Sequence, residues 1–425
     1  MIKKLVVVFI ASFALQLHAQ QGTVSPYSFF GIGSLKFKGT VENRSMGGLS
    51  IYTDSIHVNL RNPASYATPN LRSFSNGESR PVKFAIAGSQ QSLKLKSDSG
   101  SDRSTATTFD YLALSFPMGK FGFGFGLLPY TSVGYKIQSE NEDGDLTNKY
   151  TGEGGLNKTY LGVGYAITPK LSVGVDFSYN FGNVKNNVEE YFYDNGDFIQ
   201  YPTVERNRSN LSGASVNFGV TYKTMIKEKY ELVTTLTYAP ESKLTSKNTR
   251  TFLTGDGTSL EADLESQGLD ETKLSMPSRL SFGAGIGQPR RWFVGAEYTT
   301  QNTSTFSNPF LDSNNTNFVN ASNFSFGGFF IPEYDSFSKY WKRITYRAGM
   351  HFEHTGLEIS NEDITEFGIS FGAGFPVGGV FSNANLGLEF GKRGTTNQNL
   401  IQENFANILI SLSLNDRWFI KRKYN

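Results

Sequence analysis

Histidine and cysteine are the side chains most often used in nucleophilic and metal chemistry, and this sequence has few of them. None of its 425 residues is cysteine, which excludes thiol catalysis, cysteine-ligated zinc, disulfides and a lipidated N-terminal cysteine. His351 and His354 are three residues apart, so on a strand they point to opposite faces and cannot share a metal. A single His351 beside Arg347 and Glu353 is more often a hydrogen-bonded polar residue than a general base. We therefore expect a protein that is not an enzyme, with no catalytic residue, metal site or cofactor.

The first nineteen residues have the pattern of a secretory signal peptide. A basic start with Lys3 and Lys4 precedes an apolar stretch from Leu5 to Leu17, and Ala19 ends a small-residue cleavage pattern. The alternative, an N-terminal anchor helix, is disfavoured because the apolar stretch is too short to span a bilayer. Residues 1–19 are therefore predicted to be removed on export.

The composition of the remaining chain excludes two further classes of protein. Loss of the two leader lysines takes the formal net charge from +2 to zero, so no polybasic surface is left to bind nucleic acid. A mean hydropathy of -0.33 without a long apolar run argues against membrane-spanning helices. Glycine is abundant (44 residues), aromatic residues reach 14% and charged residues only 18%, which favours a large β protein over a helical bundle.

From about residue 81 the sequence alternates with a period of two, which places apolar side chains on one face of each strand. Leu171, Val173, Val175, Phe177 and Tyr179 form one such face, and small or polar residues form the other. The small-residue face also carries isolated charges, which are Asp176, Arg279, Glu297, Arg347 and Glu389. A soluble sandwich also alternates, but its second face would not be so rich in glycine.

Short and long connections also alternate along the chain. The short connections lie at 117–120, 168–170, 225–229, 288–291, 336–342 and 376–379, and long polar loops are expected near 138–155, 183–208, 250–274, 305–318 and 393–402. This pattern is typical of a bacterial outer-membrane barrel, whose strand number is even. The sequence predicts an all-β fold with a fourteen-stranded antiparallel transmembrane barrel over residues 81–425. The last strand is predicted to end in Trp418-Phe419, an aromatic pair suited to the membrane interface.

Residues 20–80 do not alternate, yet they contain many large apolar side chains. A barrel of this size must fill its lumen or conduct water. We therefore expect residues 20–80 to form a hatch, or plug, inside the lumen. The alternative is a loosely ordered periplasmic tail, which would seldom carry so many large apolar groups.

A short motif in this segment resembles the N-terminal hatch of the FadL family, outer-membrane transporters of hydrophobic compounds. The motif has a glycine-rich stretch, an acidic residue and an Asn-Pro-Ala sequence, represented here by Arg44, Gly47, Gly48, Asp54, Asn62, Pro63 and Ala64. The resemblance implies a fourteen-stranded barrel closed by a hatch in the bacterial outer membrane. It also implies diffusion of a hydrophobic ligand that leaves sideways through a gap at a kinked third strand.

The third strand offers a candidate for this lateral opening. Gly122, Gly124 and Gly126 share one face, and Pro129, which cannot donate to a strand ladder, follows them. The alternative is an unbroken strand in which the glycines only make room for the hatch. A collecting groove on the outside is less clear, although the aromatic segment Phe306–Phe330 is a candidate.

Two functions are compatible with these patterns. One is passive uptake of hydrophobic small molecules such as long-chain fatty acids, with membrane lipid and the ligand as partners. The other is a structural or secretion-related subunit, similar to the FadL-like barrels in secretion systems of Bacteroidota, that binds other outer-membrane proteins, lipoproteins or exported cargo. Uptake predicts an apolar cavity inside the barrel, whereas the structural role predicts a stable partner and a filled interior. Of the two, the sequence favours uptake.

Overall fold

The computed structural model describes residues 22–416 except residues 55, 68–80, 99, 142, 195–196, 199–200, 254–256, 311–315 and 378–381. Three features of the sequence analysis lie outside this range. They are the signal peptide at 1–19, the junction between hatch and barrel at 68–80, and the aromatic pair Trp418-Phe419.

Fourteen antiparallel strands form the wall of the protein, as the sequence predicts. Four of them are interrupted and consist of two pieces each. In chain order the strands are β1 (Val82–Lys96), β2 (Ser101–Met118), β3 (Phe121–Pro129 and Thr131–Glu140), β4 (Leu146–Ala166), β5 (Leu171–Glu190), β6 (Thr203–Ile226), β7 (Tyr230–Ala239 and Ser242–Leu253), β8 (Glu271–Met276 and Arg279–Gln288), β9 (Trp292–Gln301), β10 (Thr316–Phe318 and Ala321–Phe330), β11 (Thr345–Ile359), β12 (Glu362–Pro376), β13 (Asn383–Arg393) and β14 (Gln402–Asp416).

The barrel closes through pairing of its first and last strands. Val82 pairs with Asp416 at one end of this ladder, and Lys96 pairs with Gln402 at the other. Closure matters because a backbone N–H or C=O group left unpaired in lipid costs several kcal/mol, roughly, for each group.

The period-two pattern separates an outward apolar face from an inward polar face. On β5, Phe177 is 58% exposed, whereas the neighbouring Asp176 is 5% exposed. The charges predicted on the small-residue face point inward, and all except the partly buried Arg279 are buried. Outward phenylalanines and tyrosines therefore form the surface suited to lipid.

Several segments expected to be long loops are strand instead. Most of 138–155 belongs to β3 and β4, and most of 183–208 belongs to β5 and β6. Two connections at the end of the barrel where these segments lie, 97–100 and 360–361, are short. The expectation was wrong because these strands continue as polar hairpins beyond the apolar band, and their polarity resembled that of loops. We call this end of the barrel the long-loop end and the opposite end the short-turn end.

The short-turn end has compact connections at 119–120, 167–170, 227–229 and 289–291 and a longer one at 331–344; the connection 377–382 lies largely outside the described residues. Among the residues that the structure describes, helical structure is confined to brief turns. These are an α-helical turn at Val41–Arg44 and 3-10 turns at Pro26–Phe29, Pro63–Tyr66, Thr303–Thr305, Tyr340–Arg343 and Asn397–Asn399. Minor strands lie at Ser34–Leu35, Tyr193–Asp194, Asp197–Phe198 and Ser259–Glu261.

In the part of the chain that the structure describes, no helix has the length and apolar character needed to cross a membrane.

Candidate functional site

Residues 22–67, which we call the N-terminal segment, contact inward-facing side chains on strands all around the barrel. One apolar cluster joins Val41, Val58 and Tyr66 of this segment to Tyr111 on β2 and Leu409 on β14. A second cluster joins Leu49 and Ile51 to Phe293 on β9. These contacts join the segment to inward-facing residues of β2, β9 and β14.

Arg44 of the predicted motif is bonded to the barrel wall. It ends the α-helical turn Val41–Arg44, which Thr40 caps by accepting a hydrogen bond from the backbone N–H of Asn43. The Arg44 guanidinium forms a buried ion pair with Glu389 on β13. Asn407 on β14 also donates to Glu389, at 2.8 Å. The Glu389 carboxylate therefore connects the segment to two neighbouring strands.

Gly47 and Gly48 allow the segment to approach the wall backbone closely. Both have positive φ angles, +69° and +85°, which side-chain-bearing residues rarely adopt. A Cβ atom on Gly47 would stand 2.6 Å from the backbone nitrogen of Met350 on β11, so only glycine fits there. The Gly47 N–H donates to Ser370 Oγ on β12 at 2.8 Å.

Asp54 organises a polar turn near the short-turn end. Its carboxylate accepts from the backbone N–H groups of Ile56 and His57, and Oδ2 lies 2.6 Å from His57 Nδ1. Lys83 on β1 donates to the Asp54 and His57 carbonyls at 2.9 and 2.8 Å. Burial alone would raise the pKa of Asp54, but His57 and these hydrogen bonds hold that pKa well below its usual range.

The Asn62-Pro63-Ala64 motif docks a 3-10 turn against glycines of the wall. Asn62 caps the turn by accepting from the Ala64 N–H at 3.0 Å, and it donates to Thr221 on β6 at 3.0 Å. Gly174 on β5 faces this turn, and a Cβ there would lie 2.6 Å from the Ala64 nitrogen. Asn62 therefore fixes both the shape of the turn and its place on the wall.

A charged cluster that the motif does not include attaches the segment to β11 and β12. Lys38 lies 3.3 Å from Glu353 on β11 and forms a shorter ion pair with Glu366 on β12. His351 Nε2 lies 3.1 Å from the same Glu366. Burial opposes the charge of Lys38, but the two carboxylates raise the pKa of its ammonium above its usual value. Strand parity already placed His351 and Glu353 on the same inward face, but the sequence could not identify Lys38 as the cation between them and Glu366.

The wall itself is interrupted at the third strand. Pairing of β2 with β3 ends at Leu112 and Leu127. Both pieces of β3 pair with β4, but beyond Tyr130 the other edge of β3 pairs with Ser34 and Leu35 of the N-terminal segment in place of β2. Within the described residues, β2 from 101 to 111 therefore has a strand partner on one edge only.

Two of the three glycines in the first piece of β3 lie against Tyr66 of the N-terminal segment. A Cβ on Gly122 would overlap the Tyr66 carbonyl, and one on Gly124 would overlap the Tyr66 ring. A Cβ on Gly126 would stand 2.8 Å from the ring of Tyr160 on β4. Pro129 is paired with Asn157 on β4, so the interruption follows directly after the proline.

The aromatic segment Phe306–Phe330 does not form one surface. Phe310 is buried, and Phe306 packs against Phe318 with ring centroids 4.7 Å apart. Phe324 and Phe326 are outward residues of β10, 49% and 43% exposed. As a candidate for a collecting groove, this segment is divided, because β10 directs Phe324 and Phe326 toward the lipid-facing surface.

A cavity of about 860 Å³ opens at the short-turn end, between the N-terminal segment and the connection 331–344. Its lining mixes apolar and charged residues, including Tyr52, His57, Phe329, Phe337 and Arg347. Two cavities beside the N-terminal segment measure only about 70 Å³ each. Among the described residues, no group of three or more His, Cys, Asp or Glu side chains is arranged to hold a metal ion.

The closed wall of fourteen strands, with apolar residues outside and polar residues inside, defines a FadL-type transmembrane β-barrel. Solved structures with this fold include the toluene transporter TbuX of Ralstonia pickettii, with a TM-score of 0.60 and 15% identity over 89% of this chain and 98% of that one. The toluene transporter TodX of Pseudomonas putida has a TM-score of 0.59 and 16% identity over 91% and 100%. A FadL homologue of Pseudomonas aeruginosa has a TM-score of 0.59 and 14% identity over 90% and 99%.

The family itself is shown by sequence. The BamG family model matches residues 1–425, and this chain belongs to the BamG family. No curated protein sequence matches the chain.

Proposed function

We propose that this chain is a structural subunit of a larger protein complex in the bacterial outer membrane. Its barrel is closed by its own N-terminal segment and does not serve as a pore. The observation that carries this proposal is the attachment of that segment around the lumen by buried polar contacts. Arg44 is bonded to β13, Lys38 to β11 and β12, and Asn62 to β6.

These contacts make a filled lumen energetically stable. Arg61 and Ser50 both bond Glu297 on β9, the former at 2.7 Å and the latter, through its Oγ, at 2.8 Å. Removing one partner of a buried charged pair costs about 3–5 kcal/mol. A molecule that crossed the barrel along its axis would have to separate several such pairs, so the interior favours a scaffold over a conduit.

The decisive experiment locks the segment in place. Because the chain has no cysteine, Asn62→Cys with Thr221→Cys introduces the only two thiols, at positions whose polar atoms are 3.0 Å apart. A short bifunctional thiol reagent would then link segment and wall. The complex recovered from outer membranes in mild detergent should keep its subunits in unchanged ratio after linking, and a strain lacking the chain should lose that complex.

Two results would contradict the structural role. One is a chain that leaves the membrane without stoichiometric partners. The other is uptake of toluene or a long-chain fatty acid that depends on the chain and stops after linking. Asn62→Cys alone, treated with the same reagent, controls for modification without linkage.

Passive uptake of hydrophobic molecules is the second candidate, and the interrupted third strand favours it. A ligand would leave sideways between β2 and β3, beyond the last pair at Leu112 and Leu127. The solved structures named as toluene transporters share this fold. In this case, uptake measured in whole cells should fall in a deletion strain and return with the complete chain. Uptake that is equal with and without the chain would rule this candidate out.

A further inference from the structure

The cavity at the short-turn end contains cations that lack an acidic partner. Arg347 is 6% exposed, and its Nη1 donates a hydrogen bond to Asn385 Oδ1 at 3.0 Å. Arg343 lies over the Tyr340 ring at 5.2 Å, and its buried Nε has no hydrogen-bond partner among the described residues. In the described part of the chain, neither guanidinium is within ion-pair distance of a carboxylate. A buried cation such as Arg347, with no carboxylate at ion-pair distance, favours an incoming anion.

The acidic groups that line the same cavity already have hydrogen-bond or ion-pair partners. Glu42 accepts from Asn385 at 2.6 Å and from Ser411 at 2.9 Å. Asp54 is held by His57, and Glu231 lies 2.9 Å from Lys223. These three carboxylates make the electrostatic potential in the cavity less positive, but none of them forms an ion pair with Arg343 or Arg347.

Exposed aromatic side chains of the connection 331–344 line the same cavity. Tyr334 is 42% exposed, Tyr340 is 44% exposed and Phe337 is fully exposed at 104%. Arg290 of the neighbouring connection lies over the Tyr334 ring at 5.1 Å. Because these residues line the cavity, they are directed toward the mouth of the barrel and can contact a molecule that enters it.

Outside the cavity, the connections at the two ends of the barrel carry opposite net charges. Connections at the short-turn end contain nine Lys and Arg and three Asp and Glu, a net charge of +6. Connections between barrel strands at the long-loop end contain twelve Asp and Glu and no Lys or Arg, a net charge of -12. A field of one sign over a whole rim attracts a large partner of opposite charge.

We propose that this cavity is the docking site for an extended acidic segment of a partner polypeptide. One acidic side chain of that segment pairs with Arg343 and Arg347, and an apolar side chain beside it packs on Phe337 and Tyr334. A polypeptide fits better than a bilayer lipid, because the barrel wall separates the buried Arg347 from the membrane. The proposal rests on the proposed structural function, since a subunit needs a surface for its partner.

The test uses the purified complete chain in a non-ionic detergent. The probes are a fluorescent peptide in which Glu and Leu alternate, a matched peptide in which Lys and Leu alternate, and dodecyl phosphate. The acidic peptide should bind and the basic one should not. Arg343→Gln and Phe337→Ala should each weaken binding roughly tenfold, which corresponds to about 1.4 kcal/mol.

The matched control is Lys120→Gln, which removes one positive charge from the same rim at an exposed position away from the cavity lining. A shift in electrophoretic mobility on heating checks that each variant is folded. Equal loss in Lys120→Gln and Arg343→Gln would overturn the proposal, because the rim would then act without the cavity. Binding of dodecyl phosphate in place of the acidic peptide would also overturn it and would indicate a lipid site.

This outcome is separable from that of the proposed function. If the peptide fails to bind but the chain still leaves the membrane with stoichiometric partners, the docking site is wrong and the structural role stands. If the peptide binds but no partner accompanies the chain, the docking site stands and the structural role is wrong.

Discussion

At the scale of single residues, the motif in the N-terminal segment acts by bonding to the wall. The sequence predicted which residues form it, because their types and spacing resemble those of a known hatch. It could not predict their partners. Glu389 is 345 positions from Arg44, and no local pattern selects it among the inward carboxylates. The partners follow from barrel closure and strand register, which long-range pairing sets.

Replacement of Arg44 by Met should destabilise the protein by about 3–5 kcal/mol, because Glu389 is then left buried without its cation. The double variant Arg44→Met with Glu389→Met should recover a large part of this loss, since neither charge is then buried. Urea unfolding in detergent, followed by tryptophan fluorescence, measures the difference. A double variant less stable than Arg44→Met would contradict this account of the pair.

A methyl group at Gly174 should displace the 3-10 turn that carries Asn62-Pro63-Ala64. The cost of overpacking is about 1–3 kcal/mol. In a background with Ser65→Cys, which lies in the buried turn, Gly174→Ala should speed labelling by a maleimide reagent. Gly100→Ala is the control, because a Cβ there meets no atom within 4 Å. Equal labelling of the two variants would show that the close approach has no consequence.

At the scale of elements, alternation identified the fourteen strands but not how far they extend. Period two tells which face a side chain occupies, and an apolar face marks only the part of a strand that meets lipid. Polar extensions of β5 and β6 carry no such mark. The interruption of β3 was predictable near Pro129, because proline cannot donate to a ladder. That the N-terminal segment would pair with the second piece of β3 was not predictable, since its register depends on the docked segment.

Hydrogen exchange should reveal the one-sided pairing of β2. Amides in residues 101–111 that point toward β3 lack a strand partner, whereas β5 is paired on both edges along most of its length. In mass spectrometry of the detergent-solubilised protein, peptides from 101–111 should take up deuterium sooner than peptides from 171–190. Equal protection of both would mean that β2 and β3 pair in solution.

At the scale of the whole molecule, closure depends on β14, which pairs with both β13 and β1. Deletion of residues 402–425 should therefore prevent formation of a barrel that resists detergent. Unheated samples of the truncated chain should migrate on a gel like heated ones, whereas the complete chain should shift on heating. Deletion of 263–267 in the connection between β7 and β8 is the control, and it should keep the shift. A compact truncated species would show that thirteen strands suffice.

The seam between the first and last strands also has a consequence for how the molecule is made. The residues that pair there are separated by more than three hundred positions of chain, so the barrel closes only when β14, the last of its strands to be synthesised, pairs with β1. Until then the apolar faces of the earlier strands are covered neither by a bilayer nor by a complete ring of neighbouring strands. A chain whose barrel has not yet closed exposes these apolar faces and is therefore prone to aggregate until β14 has paired with β1.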